Sequence, residues 1–277
     1  MDFKSLKKAP LIGRPLTRAY ALFLRAKNKK YIQSNASLRD TEKGKRCFIV
    51  ATGPSIKNEN LAGLAGELVI SVSNFFLHPD WHTIKPKYHL FAASHPPITA
   101  EQYGKLFLDA EKVCFEGQNI LVSLSDRPIV ESHGVFKKQN VIYYSLGHKE
   151  LSPKTREIDL ATDLPAIQTS VHIALYAALY MGAGPFYLLG VDHDWILHMG
   201  KSQHFYDQKE APMVTAGYNE WQGIDFGKEL AAQANLWRIY KEIKAYAGAR
   251  GTEIWNATKG SLLDVFPPVR LEDILKK

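Results

Sequence analysis

The stretch "CFIVATGPSIKN", Cys47 to Asn58, decides the fold. Four residues suited to a buried strand run without alternation into Ala51-Thr52, and Gly53-Pro54-Ser55 then stops the extended pattern and turns the chain. An unbroken apolar run of this length fits a strand covered on both faces. Working outward, similar short runs recur at Glu67–Ser71, Tyr88–Ala93, Lys112–Phe115, Val141–Tyr144, Phe186–Val191 and Glu253–Trp255, each expected to be a strand as Arg46–Ala51 is. Helix-like patterns separate them. Thr169–Met181 is apolar nearly all round and so expected to be buried, with Gly182 and Gly184 ending it. Phe226–Ala247 places Leu230, Ala234, Trp237, Ile239, Tyr240 and Ile243 among Lys and Arg. Strands alternating with helices predict an α/β fold, Rossmann-like, with a mainly parallel sheet. Residues 195–225 are aromatic, turn-rich and without clear periodicity, the pattern of a lid insertion or of an ordinary long surface loop.

Charge divides the chain unevenly. Of 35 Lys and Arg, 13 lie in residues 1–46, together with only three of 28 Asp and Glu, so the rest is slightly acidic. This predicts a basic N-terminal leader over 1–45 and a single domain over 46–277. Within the leader, "RPLTRAYALFLRAKNKKYIQ" sets Leu16, Ala19, Tyr20, Phe23 and Leu24 near one helical face, a pattern suited to an anionic membrane surface or to packing on the body. The body has no basic stripe interleaved with aromatics, which argues against a nucleic-acid partner. No run of about 18 apolar residues is present, and the N-terminus lacks the continuous apolar stretch of a signal peptide. The expectation is a cytoplasmic protein, met at the inner membrane face if the leader binds there. Cys47 and Cys114 both sit in apolar segments and are expected to be buried thiols.

In an open parallel sheet, ligands bind outside the carboxyl ends of the strands. The residues expected there are Thr52-Gly53-Pro54-Ser55, Ser73-Asn74, Ser94-His95, Asp192-His193-Asp194 and Asn256-Ala257-Thr258. Gln168-Thr169-Ser170 adds a helix start, whose free N–H groups favour an anion. The Gly-Pro-Ser loop has neither the P-loop spacing nor Gly-x-Gly-x-x-Gly, and Pro54 removes one backbone donor. Ser55 could instead be a simple N-cap. Ser125-Asp126 and Ser132-His133 invite a hydrolase reading, but no Gly-x-Ser-x-Gly elbow accompanies them.

Together these motifs resemble the bacterial sialyltransferases of glycosyltransferase family 42: Gly-Pro-Ser after the first strand, Asn after the second, Thr-Ser opening an apolar helix, then "FYLLGVD" and the C-terminal "NATKGSLL". The pattern over roughly 46–266 is also similar to the 6-hydroxymethylpterin pyrophosphokinase-like family, whose relatives include glycan-modifying transferases. The resemblance implies that Gly53, Pro54, Ser55, Asn74, Ser94, Thr169, Ser170, Asn256 and Ser261 contact the nucleotide and donor. It implies a nucleotide-sugar donor, with a cytidine-monophosphate-linked acidic sugar as one class, and a glycan or lipid-linked acceptor at the bacterial surface. Sialyltransferases carry an Arg before Thr-Ser, where this chain has Gln168, which opens the donor to sugars other than sialic acid.

Sugar transfer to a hydroxyl needs a base, and histidine suits it near neutral pH. His204 on the lid is the first candidate and His193 the second, with Asp192 the acid beside it; His172, inside the apolar helix, is expected to be packed. Asp192 and Asp194 form an Asp-x-Asp that would hold Mg²⁺ in a pyrophosphokinase, whereas a monophosphate leaving group needs no metal and no other cofactor. Tyr206, Tyr218 and Trp221 are expected to stack on a sugar or base, or on the body. A nucleotide-binding protein without catalysis is the remaining alternative.

Overall fold

The computed structural model describes residues 30–147, 149–151, 157–201, 203–217, 219 and 221–276. Among the described residues, eight strands form one sheet: β1 (Cys47–Val50), β2 (Leu68–Val72), β3 (Tyr88–Leu90), β4 (Asn119–Ser123), β5 (Asn140–Leu146), β6 (Asp163–Leu164), β7 (Phe186–Leu189) and β8 (Ile254–Asn256). Their order is β6-β5-β4-β3-β2-β1-β7-β8, and every neighbouring pair is parallel. This is the α/β, Rossmann-like architecture expected. The helices are α1 (Trp81–Ile84), α2 (Ala100–Glu111), α3 (Arg127–His133), α4 (Ser170–Tyr180), α5 (Pro212–Thr215), α6 (Phe226–Gly248) and α7 (Leu271–Leu275).

The sheet is covered on both sides, which is why β1 reads as a continuous apolar run. Cys47 and Ile49 face a core shared with α4 and α6. Phe48 and Val50 face a second core shared with α2, α3 and α7. Helix α4 buries Val171, Ile173, Leu175 and Tyr176 on different sides because it lies between the sheet and α6. Each such aliphatic side chain contributes about 1.5–3 kcal/mol of burial. Helix α6 buries Leu236, Ile239, Tyr240, Ile243 and Tyr246, while Leu230, expected on that face, is 52% exposed.

Three expectations are corrected. Lys112–Phe115 is not a strand: Val113 and Cys114 donate back to the Ala110 carbonyl, continuing the end of α2. The strand in that region is β4, and Cys114 is only half-buried, whereas Cys47 is fully so. The domain does not begin at 46. Ile32 and Asn35 are buried, Asn35 Nδ2 donates to the carbonyls of Tyr143 and Leu160, and Glu42 is enclosed by Lys45, Lys87 and Tyr88. The remainder of the expected leader, residues 1–29, lies outside the described residues. Among the described residues no helix is long and apolar enough to cross a membrane.

Candidate functional site

Strand order reverses at β1, whose neighbours β2 and β7 lead the chain to opposite sides. Such a switch point leaves a crevice at the carboxyl ends. A cavity of about 320 Å³ lies there, floored by Thr52, Gly53, Ser73, Asn74, Gly190 and Asp192 and roofed by lid residues. Thr169 and Ser170 enter it from the start of α4, so strand ends and helix start meet in one place.

The local geometry follows from hydrogen bonding that continues beyond the strands. The Ala51 N–H donates to Leu189 O at 2.8 Å and the Gly53 N–H to Gly190 O at 2.9 Å. This draws Gly53 against the loop after β7. Its φ of −62° is open to any residue. What requires glycine is space, since a Cβ here would stand 1.8 Å from Asp192 Oδ2 and 2.6 Å from Gly190 O. Gly190 combines both demands: its φ is +66°, and a Cβ would meet Ala51 O at 2.8 Å.

Ser55 is not an N-cap. It lies inside a 3₁₀ turn, Pro54–Asn58, and donates outward to Asp192: N–H to Oδ1 at 3.0 Å, hydroxyl to Oδ2 at 2.8 Å. Burial raises the Asp192 pKa, the Ser55 bonds work against that, and Asp194 adds repulsion. Asp194 Oδ2 pairs with His198 Nε2 at 3.3 Å. Among the described residues, no three His, Cys, Asp or Glu side chains converge as a metal site.

Asn74 is buried, and its Nδ2 donates to Tyr206 Oη at 2.8 Å, while its Oδ1 has no partner among the described residues. Asn74 is one of the residues that line the cavity. Two strand-end residues carry left-handed backbone, Ser73 with φ 53° and His193 with φ 51°. Strain of this kind concentrates at functional sites.

The lid is anchored over the crevice. Phe205 N–H donates to Thr52 O at 3.1 Å, and the Phe205 ring packs beside Phe75 and His78. His204 stacks on Tyr206 with ring centroids 4.8 Å apart, and its Nδ1 lies 3.4 Å from Thr52 Oγ1. A second cavity, about 370 Å³, adjoins the first; His95, Trp195, Gln203 and His204 border both, and Trp221 lines its far side. Tyr218 lies outside the described residues.

The structure thus brings together Gly53, Asn74, Thr169, Ser170, Asp192, His193 and His204. Pro54 and Ser55 do not line the cavity. Ser94 is committed elsewhere, donating N–H and hydroxyl to Asp126. Asn256 lines a separate cavity beyond β8 and bonds Leu263 O and Thr258 N–H. The Ser261 hydroxyl donates to Val191 O at 2.6 Å, bracing the loop that carries Asp192. His193 is buried with Nε2 on Tyr240, and burial lowers its pKa to about 3. His172, packed as expected, accepts the Gln168 N–H at Nδ1. Trp195 and Gln203 were not anticipated; they lie in the irregular lid, where no periodicity points to them.

No family model matches the chain, and no curated protein matches it. Among solved structures it is similar to the sialyltransferase CstII from Campylobacter jejuni in complex with a substrate analogue, CMP-3FNeuAc. That match has 17% identity and a TM-score of 0.43, covering 81% of this chain and 86% of that one. It is also similar to the monofunctional alpha-2,3-sialyltransferase Cst-I from Campylobacter jejuni, at 20% identity and a TM-score of 0.43, covering 81% and 80%. Identity and superposition are both low, and the chemistry of the crevice has to be read from its own residues.

Proposed function

We propose that this chain is a glycosyltransferase that moves a sugar from a nucleotide donor, of the cytidine-monophosphate-linked acidic class, onto a hydroxyl of a cell-surface glycan. The observation that carries this reading is the convergence at the switch point of polar strand ends, a helix start and a lid histidine on one enclosed crevice. Gly53 lets the loop after β7 close against β1 and so places Asp192 in the crevice wall. The N–H groups at the start of α4 face a phosphate, and the 11-residue helix favours its charge. Asn74 Oδ1 accepts a ribose or sugar hydroxyl. His204 takes the acceptor proton as the hydroxyl displaces the nucleotide, and the second cavity beside it receives the acceptor.

The transfer is metal-independent in this proposal. Its support is that both oxygens of Asp192 already accept hydrogen bonds from Ser55. The acceptor is met at the inner membrane face through the basic residues 1–29. Full-length chain that partitions to anionic vesicles no better than a chain lacking 1–29 would remove that part.

A thermal-shift screen of nucleotides with and without Mg²⁺ tests the whole. Cytidine monophosphate should raise the melting temperature equally in both conditions. No response to it, beside a clear Mg²⁺-dependent response to ATP, would replace this reading with the pyrophosphokinase one.

A further inference from the structure

His193, Tyr240 and His172 form a buried column between the crevice and α6, and its hydrogen bonds can be accounted for atom by atom. His193 Nε2 and Tyr240 Oη lie 2.8 Å apart. Two arrangements fit that distance: the phenol donates to Nε2, or a protonated Nε2 donates to the phenol. In the second, the Tyr240 hydroxyl proton needs another acceptor. His172 is the polar neighbour on the other side, its ring 4.3 Å from Tyr240 and edge-on to it. His172 Nδ1, however, already accepts the Gln168 N–H at 3.1 Å, so its proton is on Nε2 and it offers no acceptor. No further partner of Tyr240 Oη is found among the described residues, and an unmade buried hydroxyl bond costs about 1–3 kcal/mol. The first arrangement spares the Tyr240 hydroxyl that defect, and the groups left without a partner among the described residues are the ring nitrogens His172 Nε2 and His193 Nδ1, as they are in the second.

That assignment has a consequence at the crevice. With Nε2 accepting from Tyr240, the neutral imidazole carries its proton on Nδ1. His193 is 97% buried, lines the crevice, and its Nδ1 has no partner among the described residues. Its backbone is held at φ 51°, a conformation few residues keep without a compensating role. We propose that Tyr240 is a positioning residue that fixes His193 in the Nδ1–H form, so that His193 donates a hydrogen bond to an oxygen of the bound ligand and leaves proton removal to another group. The identity of that ligand rests on the donor reading above; the tautomer does not. The ring stays neutral through this cycle, as its low pKa allows.

The test uses full-length chain labelled with ¹⁵N-histidine, in which long-range ¹H–¹⁵N correlations show which ring nitrogen carries the proton. His193 is assigned by its absence in His193→Asn. Without ligand, His193 should be neutral with Nδ1 protonated, and Tyr240→Phe should transfer population to the Nε2–H form. A wild-type ring protonated on Nε2 or on both nitrogens overturns the proposal. Cytidine monophosphate is then added, with binding followed independently by melting temperature. Binding that leaves Nδ1 unmoved overturns the ligand contact. Absence of any binding rejects the donor reading, and the ligand contact with it, while the apo spectra still decide the role of Tyr240. Asn tolerates positive φ and sets an amide N–H near the Nδ1 position. His193→Asn should therefore keep affinity within about threefold, and His193→Leu should lose about tenfold, a neutral hydrogen bond. Equal losses in the two variants would mean that packing alone keeps histidine here.

Discussion

Ser55 reaches Asp192 across the gap between the ends of β1 and β7, and Ser94 reaches Asp126 across the gap between the ends of β3 and β4. In each clasp a serine gives both N–H and hydroxyl to a buried carboxylate on the loop of the adjacent strand. Burial raises the pKa of both aspartates, and the serine bonds oppose it. The surroundings differ. The first clasp stands at the reversal of strand order and is crossed by a glycine with no room for a Cβ; the second sits inside a run of consecutive neighbours, next to Ala92 and Ala93. A clasp ties loops together. The crevice touches both loops, with Ala92, Ala93 and His95 lining it around Ser94, but only the clasp at the reversal puts its carboxylate into the wall.

The largest effect should come from filling the glycine position. Gly53→Ala forces its Cβ into Asp192 and Gly190, with backbone on one side and a bonded carboxylate on the other. Overpacking combined with a broken clasp should cost about 3 kcal/mol. In a chain of this size that lowers the melting temperature by roughly 6–12 °C. Response to cytidine monophosphate should vanish with it. A melting temperature within about 2 °C of wild type would show that the loop after β7 yields, and the rigid-wall account would fail.

The next test separates the clasps. Ser55→Ala and Ser94→Ala each remove one hydroxyl bond to a buried carboxylate, and each should lose about 1.5–3 kcal/mol in urea unfolding. Only Ser55→Ala should also weaken cytidine monophosphate binding, because Asp192 lines the crevice and Asp126 does not. Equal weakening in both would mean that the loop after β3, which also lines the crevice, holds the ligand as firmly as the Asp192 wall does.

How far this was legible varies along the chain. Strands β1, β2, β3, β5, β7 and β8 were readable because they are apolar runs closed by polar or turn residues. The run at Lys112–Phe115 carries the same signal as Asn119–Ser123, and only the helical bonds back to Ala110 tell them apart. Two-residue β6 has no pattern to read. In the site, the strand-end rule located Gly53, Asn74 and Asp192 but treated all strand ends alike. Asn256 ends β8, one strand beyond the reversal, and its amide is used to brace Leu263 and Thr258. Ser55 and Ser94 looked like ligand contacts because a hydroxyl at a strand end gives no hint of an aspartate more than thirty residues later. Tyr240 was visible only as a core residue of α6, since its hydroxyl partner lies 47 positions away.

The smallest effect, and the finest test, is the pH dependence of stability. Asp126 is the cleaner of the two clasps for this, being clear of the crevice. Its folded pKa lies above 3.8, chiefly through burial. Its contribution to stability is therefore complete below the unfolded value and declines as pH rises through the folded one. Glu42, at the opposite, amino end of the strands beside the start of β3, has the reverse sign. Burial works to raise its pKa, but hydrogen bonds from Lys87, Lys45 and Tyr88 outweigh it and leave the carboxyl below its ordinary 4.5. Its contribution is present above that value and is lost as pH falls through the folded one. As pH rises, the destabilisation caused by Glu42→Gln should grow below 4.5 and level off above it, while that caused by Asp126→Asn should shrink above 3.8. Urea unfolding of both variants and wild type across these values measures the two slopes. Parallel slopes would mean that solvent reaches Asp126 as freely as it reaches the half-exposed lysines around Glu42, and the clasp would then be a surface contact and not a buried one.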